Sequence, residues 1–242
     1  GNLNRGSGFH GDLIKLVSAE QLLMMIELGT MNFQDAISAG VTGISDSPNT
    51  TNNSSLTGST ASLGNGTGRA ASTINERNGT TNTETAANKT AMRWRGKENF
   101  FGNIWKFVYG VNIWGNGSMN GGQPYICDDF NFAESKRTDN YEAAGFTVTN
   151  ANGYISAMGY STKCDWLFMA SECLGNSSLP VGDYTYITAN LNAYRIARLG
   201  GGWGHGAVAG GFCWVLDAGV GSRGRSVGGR LVYVPTRNAE DY

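Results

Sequence analysis

The chain has 242 residues, 40% of them hydrophobic, and a formal charge of −1. That is enough apolar material for one large domain or two small ones, and the near-zero charge provides no electrostatic footprint for nucleic acid or an anionic membrane. No apolar run approaches the roughly 20 residues of a membrane-spanning helix, so membrane insertion is not expected. Glycine is abundant, 36 residues against 4 prolines, which predicts tight turns and close backbone approaches in a loop-rich domain. The first residues, Gly1 to Gly6, are not a signal peptide and do not begin with Met, so the native N-terminus is expected upstream. Cys127, Cys164, Cys173 and Cys213 form no CxxC pair and no zinc-type spacing; a disulfide framework is not expected, although one bridge, such as Cys164 to Cys173, stays open.

In chain order, the first element is a helix. Ser18 to Gln21 match a capping box, with Val17 and Leu22 placed as a hydrophobic staple. The helix runs through Leu22, Leu23, Met25 and Ile26 and stops at Gly29. Met24 and Met25 are read as core packing. A second short helix is expected from Asn32, as N-cap, to Gly40. Residues 45–91 are dominated by Thr, Asn, Ser and Gly, and no aromatic residue lies between Phe33 and Trp94. Such composition cannot build its own core, so long surface loops or a loose ribbon leaning on the domain are expected. The sequons Asn53-Ser54-Ser55, Asn65-Gly66-Thr67 and Asn88-Lys89-Thr90 are read as products of composition. Gly64 to Gly68 lacks the preceding strand and the Lys-Ser/Thr of a phosphate loop.

Order returns at Met92. Ile104, Phe107 and Val108 have helix spacing, and Val108 to Trp114 reads as a strand. Asn116-Gly117 and Asn120-Gly121 mark turns. Phe146 to Val148 and Tyr154 to Met158 read as short strands around the turn Asn150 to Gly153, and Trp166, Leu167 and Phe168 form a further buried segment. In the C-terminal run, Phe212, Trp214 and Leu216 alternate with Cys213, Val215 and Asp217, the period of a strand with one face buried. Arg223 and Arg225 repeat the alternation among Ser222, Gly224 and Ser226. A demanding face beside an arbitrary one reads as a surface for displaying side chains.

Catalytic chemistry finds little support. The only histidines, His10 and His205, have no triad partners, and His205 reads as a displayed side chain. Asp128, Asp129, Asp165, Glu172 and Asp183 form no spaced calcium loop and read as solvated loop carboxylates. Arg223, Arg225 and Arg230 could hold an anion or form buried ion pairs. Cys213 reads as a bystander thiol on the displayed face.

The pattern Gly200-Gly201-Gly202-Trp203, Ala209-Gly210-Gly211-Phe212 and Val227-Gly228-Gly229-Arg230-Leu231 resembles the variable region of proteins diversified by retroelements. The segment from Trp94 to Trp105 is similar to the corresponding phrase in phage-encoded members. The likeness covers residues 92–235 and implies an α+β, C-type-lectin-like domain related to formylglycine-generating enzymes, with short strands, two N-terminal helices and long loops. On this reading residues 1–44 form a helical part packed on the domain, 45–91 an exposed excursion and 92–242 the core, with a variable region at about 199–231.

The resemblance implies a fixed frame of Trp203, Gly206, Gly210, Gly211, Phe212, Trp214, Leu216, Arg223, Arg225, Gly228, Gly229 and Arg230. It implies a diversified set of Gly202, Gly204, His205, Val208, Cys213, Val215, Asp217, Ala218, Gly219, Ser222, Gly224 and Ser226, with Trp203 as a fixed neighbour in the ligand site. The implied role is adhesion: a hypervariable receptor-binding domain of a phage tail or cell surface that takes a host cell-surface protein or glycan. No enzyme activity and no cofactor are expected. The set lacks Trp, Tyr and Arg, so affinity is expected from fixed neighbours and from multivalency, for which a homo-oligomer such as a trimer would serve. The alternatives are an oxidase of the formylglycine-generating type, although Cys213 and Cys173 match no cysteine pattern of that site, and a structural virion domain without ligand.

Overall fold

A computed structural model describes residues 8–45, 53–75, 79–116, 121–132, 138–188 and 192–235. The turns expected at Asn116-Gly117 and Asn120-Gly121 fall on residues 117–120, outside this set. The described chain is mixed α+β and mostly strands, with two α-helices and one large sheet.

The first helix, α1 (Ile14–Leu28), begins a turn before the capping-box position. Leu13 precedes it as an extended residue bridged to Tyr109, and it makes no side-chain cap. Ser18 and Gln21 therefore lie inside the helix, fully buried. Gln21 does not cap; its Nε2 donates to Gly211 O at 2.7 Å. Burial of Ile14 and Val17 decided the start, because tertiary packing outweighs a local cap worth about 1 kcal/mol. The end is as the sequence predicts: Gly29 at φ 67° closes the helix with its N–H on Met25 O. The second helix, α2 (Phe33–Ala36), is capped by Asn32, whose side chain accepts from Asp35 N, and it ends well short of Gly40.

The large sheet has the strand order Gly153–Tyr154, Tyr184–Ile187, Trp214–Ala218, Asn192–Leu199, Trp105–Asn116, Gly122–Ile126 and Glu142–Ala143, with Val227–Gly228 beside the start of Trp105–Asn116. Its pairings are antiparallel except those of Trp214–Ala218 with Tyr184–Ile187 and of Val227–Gly228 with Trp105–Lys106. The long strand absorbs the stretch where Ile104, Phe107 and Val108 suggested a helix. Aromatic and β-branched residues suit a pleated surface, and two neighbouring strands supply its ladders. Between Val108 and Asn112 the register jumps, and Gly110 at φ 77° makes the kink, where a Cβ would meet Cys127 O at 2.3 Å. No strand forms at residues 146–148; the short strands are Gly153–Tyr154 and Ala157–Met158.

One face of the sheet carries the main core. Val108, Ile113, Ala197, Leu199, Trp214 and Leu216 pack there with Ile14, Val17 and Met24 of α1 and with Phe33 and Phe212. Met25, Trp166 and Phe168 are only partly buried against it. The Thr/Ser/Asn/Gly-rich segment forms a hairpin of Ser72–Asn75 with Thr81–Glu84, and Gly68–Ala70 pairs with Ala91–Trp94. Ile74 and Ala91 are its buried apolar side chains among the described residues, in a small cluster with Val41 and Trp203. Polar bonds do the rest: Glu98 accepts from Gly58 N, Thr60 N and Thr60 Oγ1.

Candidate functional site

The C-terminal run builds two different things. From Gly200 to Phe212 it is a tightly fitted loop. A Cβ on Gly201 would meet Ala209 Cβ at 2.5 Å, on Gly210 the Asp183 carboxylate at 2.0 Å, and on Gly211 the Phe33 ring at 2.3 Å. Asp183 is fully buried, not the solvated loop carboxylate that its sequence setting predicts. Its Oδ2 accepts from Phe212 N at 2.6 Å, while Oδ1 is buried without a partner among the described residues. Burial pushes this carboxyl well above the usual carboxylate range. Lys106, buried beside Gly200, donates to Gly102 O at 2.8 Å, and burial lowers its ammonium well below the usual lysine range.

The strand that follows, Trp214–Ala218, is central in the sheet and covered on both sides. Trp214 and Leu216 enter the main core. Cys213 and Val215, expected on a displayed face, lie under Trp105, Tyr184, Tyr186 and Val227 instead, and Ala218 is buried as well. The period-two pattern fixed which residues share a face, but aromatics from distant strands closed the face expected to be open. Gly202 and Trp203 are also buried. Trp203 cannot offer its ring broadly to a ligand: it packs on Val41, Ile74 and Ala91, and the Arg225 guanidinium stands 5.5 Å from its ring. The exposed members of the diversified set are Gly204, Asp217 and Gly224, with His205, Val208, Gly219, Ser222 and Ser226 half-buried. Residues 222–226 are not a strand, and Arg223 and Arg225 are exposed rather than in buried ion pairs. Arg230 donates to the carbonyls of Glu98 and Asn99, tying the end of the run to the loop before the long strand.

Beside Asp217 lies an aromatic cluster, half-buried at its tyrosines and closed at Trp105. Tyr154 meets Tyr184 at 5.1 Å between ring centroids, Tyr184 meets Tyr186 at 4.7 Å, and Tyr186 meets Trp105 at 6.2 Å. His205 stands edge-on to Trp105 at 4.8 Å, and its Nδ1 accepts from Gly202 N at 3.1 Å. Burial, with Arg198 nearby, lowers its pKa and favours the neutral ring. Arg198 reaches Asp217 at 3.5 Å and lies 5.9 Å from the Trp105 ring. A cavity of about 100 Å³ lies at the register jump, lined by Phe107, Asn112, Ile196 and Val220 among others and by none of these site residues. Tyr184, Tyr186 and Arg198 were not singled out from the sequence, although Tyr184-Thr185-Tyr186-Ile187 alternates plainly between an outer and a buried face.

The other suspected groups do not converge. His10 stacks on Phe130 at 4.0 Å. Asp128 pairs with Lys15, and Asp129 accepts from Asn131 N and from Cys127 Sγ. All four cysteines are free thiols, and burial pushes Cys213 well above the usual thiol range and raises Cys173. Among the described residues no three His, Cys, Asp or Glu side chains gather as a metal site, and no helix is long and apolar enough to cross a membrane. A comparison with protein-family models finds no match, and a comparison with curated proteins finds none either.

Proposed function

We propose that the chain is a ligand-binding display domain of the retroelement-diversified type, with a C-type-lectin-like fold, acting in adhesion rather than catalysis. Its place would be a phage tail or a cell surface, and its target a host cell-surface protein or glycan. The observation that supports this most is a contrast in constraint along one run of chain. Glycines 201, 210 and 211 are locked by contacts that admit no side chain, whereas Gly221 and Gly224 have nothing among the described residues within 4 Å of an added Cβ; Gly206 and Gly229, expected in the frame, are open as well. A fixed frame beside a stretch that accepts any side chain is what a display surface requires. The adjoining half-buried Tyr184, Tyr186 and Arg198 are of the residue types that dominate binding energy at interfaces. They supply the anchors that the exposed Gly, Ser and Asp positions lack.

The oxidase alternative draws no support from the cysteines. Cys213 has no exposure, and a raised thiol pKa disfavours the nucleophilic thiolate. The test of the display reading is exchange of residues 217–226 for another sequence of equal length, with binding to intact candidate host cells as readout. Loss of binding with an unchanged thermal melt is the expected result. Binding that survives the exchange, or that never occurs with any cell surface tried, overturns the reading.

A further inference from the structure

We propose that the cavity at the register jump of the large sheet is a subsite for the N-acetyl group of an uncharged amino sugar. The inference does not rest on the display reading, since of the residues that line the cavity only Val220 belongs to the 217–226 stretch. The cavity arises from a mismatch between neighbouring strands. Ile196 pairs with Asn112 and the next residue, Ala197, with Val108, so Tyr109, Gly110 and Val111 have no partner on Asn192–Leu199. A bulge of this kind turns peptide groups out of the ladder and opens the strand locally. The gap of about 100 Å³ is walled by Phe107, Ile196 and Val220 and completed by the bulged residues and Asn112. Val220, 45% exposed, stands at its mouth.

Size, polarity and surroundings each narrow the occupant. An apolar cavity of about 150 Å³ takes benzene, so this smaller one takes a group of about four heavy atoms rather than a ring. None of its lining residues is charged, which disfavours a free amine or carboxylate. The apolar walls suit a methyl group, and the Asn112 amide and the bulged peptide groups suit a second amide. An asparagine amide offers donors and acceptors together, and a purely hydrocarbon group would meet neither. An acetamido group has both parts, a methyl and a flat amide. The sugar is suggested by what stands beside the cavity. Ile113 is in the core, so Asn112 and Trp114 share the opposite face. There Tyr125 lies across from Asn112 and Tyr194 across from Trp114. The Trp114 and Tyr194 rings are 4.6 Å apart and those of Tyr125 and Tyr194 6.4 Å, and all three are half-buried. Ring faces of this kind take the C–H face of a pyranose, while their polar tips reach its hydroxyls. A small apolar pocket with a few polar groups is the usual form of a small-ligand site.

Nuclear magnetic resonance titration with the methyl glycosides of N-acetylglucosamine and of glucose tests this. The first is expected to bind weakly, with a Kd of about 1 mM, and to shift the amides of Gly110, Asn112 and Val220. Saturation transferred from the protein is expected to be strongest at its acetyl methyl. The glucoside is expected to shift none of these amides. Val220→Trp, which fills the mouth from an exposed position, is expected to weaken binding roughly tenfold or more with an unchanged melt. Exchange of residues 222–226 alone, which leaves Val220 in place, is expected to leave the affinity unchanged and so separates this site from the displayed stretch. Equal shifts with both sugars, binding that survives Val220→Trp, or no shift up to about 10 mM overturns the proposal. Isobutanol giving these shifts where the N-acetyl sugar gives none overturns it too, and assigns the cavity to an aliphatic side chain of a protein partner.

Discussion

Residues 213–218 and 222–226 are near neighbours in the chain, and both alternate small or arbitrary side chains with demanding ones. The first stretch is sealed from above and below: Cys213 and Val215 lie beneath tyrosines and a tryptophan contributed by strands distant in the chain, the tryptophan more than a hundred residues away. The second leaves the sheet, and neither Gly224 nor the preceding Gly221 has a neighbour among the described residues within reach of a Cβ. The tolerance of a position is thus set by what other parts of the chain bring over it, and local periodicity cannot report that. A strand in the middle of a sheet has two faces to satisfy, whereas a loop past its end has none.

The largest expected effect tests the sealed stretch. Cys213→Arg would bury an unpaired charge and is expected to cost more than about 3 kcal/mol, lowering Tm by roughly 10 °C in a thermal melt; a near-wild-type melt would show that the aromatic cover yields. Next comes the fitted loop. Gly211→Ala, driven into the Phe33 ring, is expected to cost about 2 kcal/mol by overpacking, while Gly224→Ala should lie within about 0.5 kcal/mol of wild type. Equal costs for the two would erase the contrast between frame and open stretch.

Asp183→Asn is expected to raise stability by about 1 kcal/mol near neutral pH, as read by denaturant unfolding. The fold prefers the Asp183 carboxyl protonated, because its pKa is raised by burial. Its contribution is complete below the ordinary carboxylate value and is lost as pH rises through the folded value. The variant's advantage must therefore widen from acidic to neutral pH; an advantage that shrinks would contradict the assignment. The smallest effect, about 0.5 kcal/mol, is expected for Arg225→Ala, which removes a cation from an aromatic face and leaves the buried part of Trp203 in place.

What was legible in the sequence followed from local chemistry. Asn32 capping α2, Gly29 ending α1 and the pairing of Phe212, Trp214 and Leu216 on one face each depend on a few adjacent residues. What was not legible depended on distant partners. Ser18 and Gln21 carry the signature of a cap, but Leu13 bridging to Tyr109 and the burial of Ile14 start the helix earlier. Asp183 looks like any loop carboxylate until Gly210 and Phe212 close around it. Of the displayed set, Gly204, Asp217 and Gly224 are open, whereas Cys213, Val215 and Ala218 are covered by residues that spacing alone cannot bring to mind. The Tyr184-Thr185-Tyr186 alternation was readable, yet nothing local says that it roofs a strand thirty residues later.

The antiparallel pairing of Phe9–Gly11 with Leu231–Tyr233 has a practical bearing. The two ends of the described chain leave the molecule side by side, joined by a short ladder. A unit with adjacent ends can be spliced into a surface loop of an unrelated carrier through two short connectors, with little strain on either partner. The same arrangement makes it a candidate cassette for library display, in which the 217–226 stretch is randomised while the carrier supplies copy number.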